Sequence, residues 1–283
     1  LVIGYWNLFG DCILGFGYFI AMFIIGELIN GMYANIAAAI KDKDKAAIQK
    51  CALEQIKSGA DALDINCGPA SKQPVIDIRW LVEAVREVTD KTLCLDSSKP
   101  QVIESGLAAA GSNSIINSTT ADPEKLDLLI PLAKRYNAGL IGLTISSKGI
   151  PQNRDQRLEL AAAIVSACAE RDFSTENLYL DPIVMPVNVA QAQMRDILES
   201  IREFKIISEP APMTVVGLSN VSQGTSARGL INRTFLTMAV AFGLDAAILD
   251  PLDTDLVDAL ITAELILNKN IYCDSYLDAY RRK

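Results

Sequence analysis

Thr92-Leu93-Cys94-Leu95-Asp96-Ser97-Ser98-Lys99-Pro100 decides how this chain is read. An apolar run ends in an aspartate, and a three-residue polar spacer then closes on a proline. Proline cannot donate to a sheet ladder but is pre-set for the first turn of a helix. The stretch is therefore a short buried strand feeding a helix, with Ser98 the expected N-cap. The same phrase recurs in the runs Phe23 to Asn30, Ala62 to Gly68, Ser114 to Thr119, Leu140 to Ser146, Leu178 to Pro182, Thr214 to Asn220 and Ala246 to Pro251. Eight such runs, at repeat spacings of roughly 20 to 40 residues with helix-like stretches between them, predict a single-domain α/β fold, the (β/α)8 barrel. Barrel chemistry sits at the C-terminal ends of the strands. Those ends read Asn30, Asn66, Asp96, Asn117, Thr144, Asp181, Asn220 and Asp250.

The segments between the runs carry helical periodicity. Ile36 to Ser58 is expected as one helix with Gly59 as its C-cap. Further helices are expected over 75–88, 123–136, 155–171, 230–242 and 255–268. Gly243 closes the 230–242 helix, and the tail 271–283 is expected to cap the barrel.

Composition removes several function classes. The 283 residues suit one barrel of about 250 residues. A net charge of −8 with no basic stripe argues against a nucleic-acid partner, because phosphate neutralisation needs clustered Lys and Arg. The six cysteines, at 12, 51, 67, 94, 168 and 273, form no Cys-x-x-Cys pair and match no zinc or iron–sulfur spacing. They are expected as reduced thiols in a cytoplasmic protein. No intrinsic metal is expected. The chain holds no histidine, so proton chemistry falls to carboxylates, amides, Lys, Tyr or Cys. No strand is followed by Gly-x-Gly-x-x-Gly, and there is no P-loop lysine, so nucleotide cofactors have no support.

Residues 1–21 differ from the rest: apolar, aromatic and glycine-rich, with Asp11 their one charge. The first strand begins at Phe23 with no linker, which argues against a membrane span leading straight into a barrel. The expectation is a non-native or upstream apolar extension at 1–21, a barrel domain at 22–283, and no membrane association.

Asp96, Asn117 and Asp181 end the third, fourth and sixth strands. Carboxylates only accept hydrogen bonds while an amide donates and accepts, so together they suit a flat heterocycle with adjacent N–H donors and a carbonyl. Each alone could equally be a turn or capping residue. Asn220 follows Gly217, whose bare backbone admits a close ligand ring. Its amide could donate to a nitrogen lone pair, or simply make the turn. Arg228 could pair with a carboxylate or be a solvated surface charge. Asp64 and Glu27 precede the strand ends and are expected to be structural.

These residues lie in stretches that resemble a known family. Ile25-Gly26-Glu27, Ile29-Asn30-Gly31, Leu93-Cys94-Leu95-Asp96-Ser97, Ile116-Asn117-Ser118-Thr119, Ile141-Gly142-Leu143-Thr144, Asp181-Pro182, Gly217-Leu218-Ser219-Asn220-Val221-Ser222 and Ile231-Asn232-Arg233-Thr234-Phe235 resemble the pterin-binding methyltransferases. The nearest branch is that of the methyltetrahydrofolate:corrinoid/iron–sulfur protein methyltransferases. The resemblance runs from about residue 22 to the C-terminus. It implies that Asp96, Asn117 and Asp181 hold the pterin. It implies that Asn220 hydrogen-bonds N5 of methyltetrahydrofolate, with Gly217, Ser219, Gln223 and Arg228 nearby. Leu28 departs from the family, which more often has Arg there.

The implied reaction transfers the N5-methyl group to cobalt(I) of a corrinoid, as in one-carbon metabolism of the acetyl-CoA type. Lacking histidine, the chain cannot carry the Asp-x-His-x-x-Gly corrinoid motif, so the corrinoid is expected on a separate partner protein docking over the mouth. A homodimer is implied by the resemblance alone. Three other readings compete: the reverse transfer in O-demethylation or betaine metabolism, a dihydropteroate synthase, and a non-catalytic pterin-binding subunit.

Overall fold

In the computed structural model, residues 21–69 and 71–281 are described. The extension at 1–21 lies outside them except for its last residue, and Cys12 lies outside them altogether. Eight parallel strands close in sequence order into a barrel: β1 (Phe23–Asn30), β2 (Ala62–Asn66), β3 (Thr92–Asp96), β4 (Ser114–Thr120), β5 (Gly139–Leu143), β6 (Leu178–Asp181), β7 (Met213–Gly217) and β8 (Ala246–Leu249). This is the (β/α)8 barrel expected from the sequence.

Around it run α1 (Ala34–Asp42), α2 (Lys45–Lys57), α3 (Pro74–Arg86), α4 (Pro100–Ala110), α5 (Pro123–Tyr136), α6 (Arg154–Glu170), α7 (Val187–Ala190), α8 (Met194–Phe204), α9 (Arg228–Ala241), α10 (Thr254–Ile266) and α11 (Tyr276–Arg281). Their apolar faces and the outward strand residues, such as Leu63, Leu93, Ile116 and Val216, form the main core. No helix among the described residues is long and apolar enough to cross a membrane.

The interior of the barrel is filled by one side chain from each strand: Ile25, Ala62, Cys94, Ile115, Ile141, Tyr179, Val215 and Ala246. Strand side chains alternate between faces, so the next inward positions lie two residues further on. They are Glu27, Asp64, Asp96, Asn117, Leu143, Asp181, Gly217 and Ile248. An apolar plug is thus roofed by a ring that is mostly acidic or amide.

Local structure departs from expectation in four places. The helix expected over 36–58 is two helices. Lys43 turns left-handed at φ 55°, and Asp44 caps α2 by accepting the Ala47 N–H at 3.1 Å. Asp and Lys alternate there, and a capping carboxylate outcompetes continued helix. Ser98 caps nothing; Lys99 holds the N-cap position and Pro100 starts α4. Strand β7 stops at Gly217, and Leu218–Ser222 form a 3-10 turn, so Asn220 is not a strand end. Arg228 opens α9 rather than lying in a loop. The C-terminal helix α11 packs beside α10, where Tyr276 Oη lies 3.0 Å from Thr262 Oγ1.

Strand β1 carries a bulge. Gly26 pairs with Leu63, yet Ile29 pairs with Ile65, so β1 holds one extra residue. The freed Leu28 N–H donates to Oε1 of fully buried Gln55 at 3.0 Å. A Cβ on Gly26 would sit 2.4 Å from that same oxygen, so only glycine leaves room for it.

Candidate functional site

The mouth of the barrel holds two polar groups on opposite walls. The first spans β2, β3, β4 and β6. Asp96 pairs in register with Asn117, and Asp64 with Cys94. Asn117 Nδ2 donates to Asp64 Oδ1 at 3.0 Å, and Asn66 Nδ2 donates to Asp96 Oδ2 at 2.6 Å. Asn66 Oδ1 in turn accepts the Gly68 N–H at 2.7 Å, which settles its orientation. Burial pushes Asp64 well above the usual carboxylate range, and the neighbouring Asp96 adds to the effect. Burial raises Asp96 as well, against the Asn66 hydrogen bond. Two carboxylates this close resist holding two charges.

Asp181 completes this wall from the end of β6, where Leu143 pairs with it. Its Oδ1 accepts the Ile183 N–H at 2.7 Å, and the Gly217 N–H also reaches its carboxylate. Burial pushes its acid up to about 7 against these hydrogen bonds and the field of Arg157. Arg157 is fully buried behind the strand. It donates to the Pro182 carbonyl at 2.8 Å, the Asn153 carbonyl at 3.1 Å and Gln193 Oε1 at 2.8 Å. The loop after β6 is thereby held to α6, and Asp181 with it. Thr144 serves the scaffold: its hydroxyl donates to the Asp181 carbonyl at 2.9 Å, stitching β5 to β6.

The second group spans β1, β7 and β8. Ser219 Oγ donates to Glu27 Oε1 at 2.7 Å. Arg228 Nε reaches Ser222 Oγ at 3.2 Å, and its charge opposes the upward shift that burial and Asp250 impose on Glu27. Asp250 is itself raised by burial, against the Leu252 N–H that its Oδ1 accepts at 2.9 Å. Asn220 is exposed beside this group. A Cβ on Gly217 would stand 3.0 Å from Asn220 Nδ2, so the bare glycine makes room first for the asparagine amide. Gln223 is exposed on the rim.

Asp96, Asn117, Asp181, Gly217, Ser219, Asn220 and Arg228 therefore share one opening, with Gln223 at its edge. The ring of strand ends drawn from the sequence was partly the wrong ring: Asn30 and Asp250 cap their own turns, and Thr144 braces a carbonyl. Sequence reasoning set Glu27 and Asp64 aside as structural. Both belong to the inward ring, two residues beyond Ile25 and Ala62 of the apolar plug, a placement that shows only once the plug is known. Asn66 and Arg157 were also missed as partners of Asp96 and Asp181; only the folded contacts reveal them.

Cavities also flank the barrel outside the mouth. One of about 600 Å³ lies between α1 and α3 and is lined by Gly31, Lys41, Cys67, Lys72 and Ile76 among others. Another, of about 400 Å³, includes Leu28, Tyr33, Cys51 and Leu252. Leu28, the residue that departs from the family, thus borders this outer cavity. Among the described residues no cluster of three or more His, Cys, Asp or Glu could hold a metal ion. The five described cysteines are free thiols.

Residues 35–250 match the family described as pterin binding enzyme. The chain is 28% identical over 263 residues to a methylcorrinoid:tetrahydrofolate methyltransferase of Eubacterium limosum, covering 92% of this chain and 97% of that protein. It is 28% identical over 215 residues to a methionine synthase of Mycobacterium leprae, spanning 71% of this chain but 18% of that longer protein. Among solved structures, the dihydropteroate synthase of Yersinia pestis superposes with a TM-score of 0.65 at 16% identity, over 88% of this chain and 95% of that one. That likeness is one of fold.

Proposed function

Because the chain belongs to the pterin binding enzyme family, we propose that it is a methyltransferase moving a methyl group between N5 of a tetrahydrofolate and the cobalt of a corrinoid on a partner protein. The observation that carries this reading is the convergence of Asp96, Asn117 and Asp181 on one wall of the mouth with the Asn220 amide on the other. The first three supply acceptors for the N–H groups of a pterin edge. Asn220 supplies a donor where no histidine exists.

The chemistry asks for such a donor. When cobalt(I) attacks the methyl carbon, the carbon–N5 bond breaks and its electron pair stays on N5. An amide hydrogen bond from Asn220 strengthens as that pair localises, without adding an acid. N5 then takes a proton from water, leaving tetrahydrofolate and a methylated corrinoid. Run backwards, the same groups serve methyl transfer from methylcorrinoid to tetrahydrofolate. The forward direction fits acetyl-CoA-type metabolism. The name of the Eubacterium limosum relative, a methylcorrinoid:tetrahydrofolate methyltransferase, favours the reverse direction as the second reading. Both pass through one transition state.

The corrinoid arrives on another protein in this reading. Its docking is supported by exposed apolar side chains on the segments that follow the strands at the mouth: Met32 and Tyr33 after β1, Val189 in α7 after β6, Leu230 in the first turn of α9 after β7 and Leu252 after β8. Partial desolvation of such side chains suits a transient partner. A homodimer for the methyltransferase itself remains part of the proposal.

The deciding experiment mixes the protein with methyltetrahydrofolate and reduced cob(I)alamin. Protein-dependent appearance of the methylcob(III)alamin spectrum is expected, and methylcob(III)alamin with tetrahydrofolate should give the reverse change. Pterin binding with transfer in neither direction would favour the non-catalytic subunit instead. No pterin binding at all would end the reading.

A further inference from the structure

Asp64 is a buried carboxylate at the mouth that the proposed transfer does not use. It is 3% exposed, sits one layer above the apolar plug, and touches the ligand wall only through Asn117. Burying a carboxylate is costly and persists only where it is hydrogen-bonded. Its partners are the Asn117 amide on one side and the Cys94 thiol on the other.

An asparagine side chain can offer a ligand either its oxygen or its nitrogen. Here the nitrogen is taken. Asn117 Nδ2 is turned into the barrel toward Asp64 Oδ1, so its Oδ1 faces the mouth, and among the described residues no protein donor reaches that oxygen. Asp64 Oδ1 stays an acceptor whether the carboxylate is ionised or carries a proton on its other oxygen. The same pattern holds beside it. Asn66 donates to Asp96 Oδ2 and leaves Oδ1 for a ligand, while Asp181 receives backbone N–H groups and has no hydrogen to give when ionised. In strand order Asn117 lies between these two acids, on β4 between β3 and β6.

We propose that Asp64 is a positioning residue that sets the hydrogen-bond polarity of this wall. By holding Asn117 with its oxygen outward, it makes the wall a row of acceptors that selects heterocycles with an N–H-rich edge, the middle position reading an exocyclic amine. The proposal rests on the pterin reading above and names the feature of the pterin that the site discriminates. A ring that replaces the amine with a carbonyl meets oxygen lone pairs and leaves the Asn117 carbonyl unpaired.

The test uses two small fluorescent rings that differ at this position, pterin (2-amino-4-oxo) and lumazine (2,4-dioxo), titrated against the full chain. The wild type should prefer pterin by about tenfold or more, since one buried polar group left unpaired carries a penalty of this order. In Asp64→Asn the Asn117 amide can turn either way, and the preference should fall below about threefold. The exchanged pair Asp64→Asn with Asn117→Asp keeps the net charge and restores an acceptor facing the ligand with a donor behind it. It should recover the wild-type preference. A merely structural Asp64 would lower both affinities in proportion, leave the ratio intact and gain nothing from the exchange; any of these outcomes overturns the proposal.

If Asp64→Asn does not fold, the exchanged pair decides by keeping or losing the preference. In the wild type labelled with 15N-asparagine, the Asn117 Nδ2 protons should be protected from solvent exchange before any ligand is added. Unprotected protons would overturn the proposal without any variant. Wild type that binds neither ring would reject the pterin reading itself, a result distinct from binding pterin with an unchanged ratio.

Discussion

At the scale of single residues, the proposed reaction separates holding a ring from activating it. Asn220 is exposed and makes no side-chain hydrogen bond that the fold needs, so Asn220→Ala should leave stability and pterin affinity nearly unchanged. Its kcat for methyl transfer to cob(I)alamin should fall about 10²–10³-fold, the usual cost of one lost transition-state donor. Stopped-flow rates beside a pterin titration check both halves. Asp181 allows a second prediction. Its acid is raised from 3.8 to about 7 in the folded chain. The folded state therefore binds this proton more tightly than the unfolded state. The stability it contributes is complete below pH 3.8 and is lost as pH rises through about 7. Thermal unfolding of the wild type and Asp181→Asn from pH 4 to 8 should show the wild type losing ground to the variant as pH rises. Asp64, Asp96, Glu27 and Asp250 shift the same way, so the difference between the two proteins, not either curve, isolates Asp181. Asp96, Asn117 and Asp181 were legible because polar residues closing apolar runs are conspicuous. Asp64 and Glu27 were not, because a carboxylate inside a strand reads as a local oddity until its inward neighbours are known.

At the scale of elements, the bulge in β1 shows what a strand spends to aim one side chain. One extra residue between Gly26 and Ile29 leaves the Leu28 N–H without a ladder partner, and Gln55 from α2 satisfies it. Gln55→Leu keeps the volume but strands that donor in the core. It should destabilise the protein by about 1–3 kcal/mol, the range for an unsatisfied buried polar group, measured by urea unfolding. The bulge was invisible in the sequence because the group that satisfies its freed N–H is a glutamine on a helix 27 residues away. The break between α1 and α2 had a local signal, the capping Asp44, that apolar periodicity overrode. The end of β7 at Gly217 had one too. The run Leu218-Ser219-Asn220 continues the apolar-to-polar pattern of a strand, but the chain curls into a 3-10 turn that brings the Ser219 hydroxyl to Glu27.

At the scale of the whole molecule, the exposed apolar side chains that follow the strands at the mouth should matter only when the corrinoid arrives on a protein. Val189→Glu and Leu230→Glu place charges on these segments without entering the ring of polar side chains. Transfer to free cob(I)alamin should be unaffected by either. Transfer to the native corrinoid protein should slow by about tenfold or more, as expected when central interface residues are lost. Equal slowing with both acceptors would mean these side chains serve the barrel rather than a partner.

The sequence by itself determined the architecture, because alternation of short apolar runs with helical periodicity admits few closed packings and each signal is local. It also determined the character of the site, since the absence of histidine and the polar residues at strand ends are facts of composition and position. Tertiary structure alone decided which polar residues share the mouth. Parity around a closed barrel, the extra residue in β1 and the turn after Gly217 determine whether a side chain points at a ligand or at its neighbour. Those depend on contacts between residues far apart in the chain, such as Asn117 with Asp64 and Ser219 with Glu27, whose hydrogen bonds exist only once the barrel has closed.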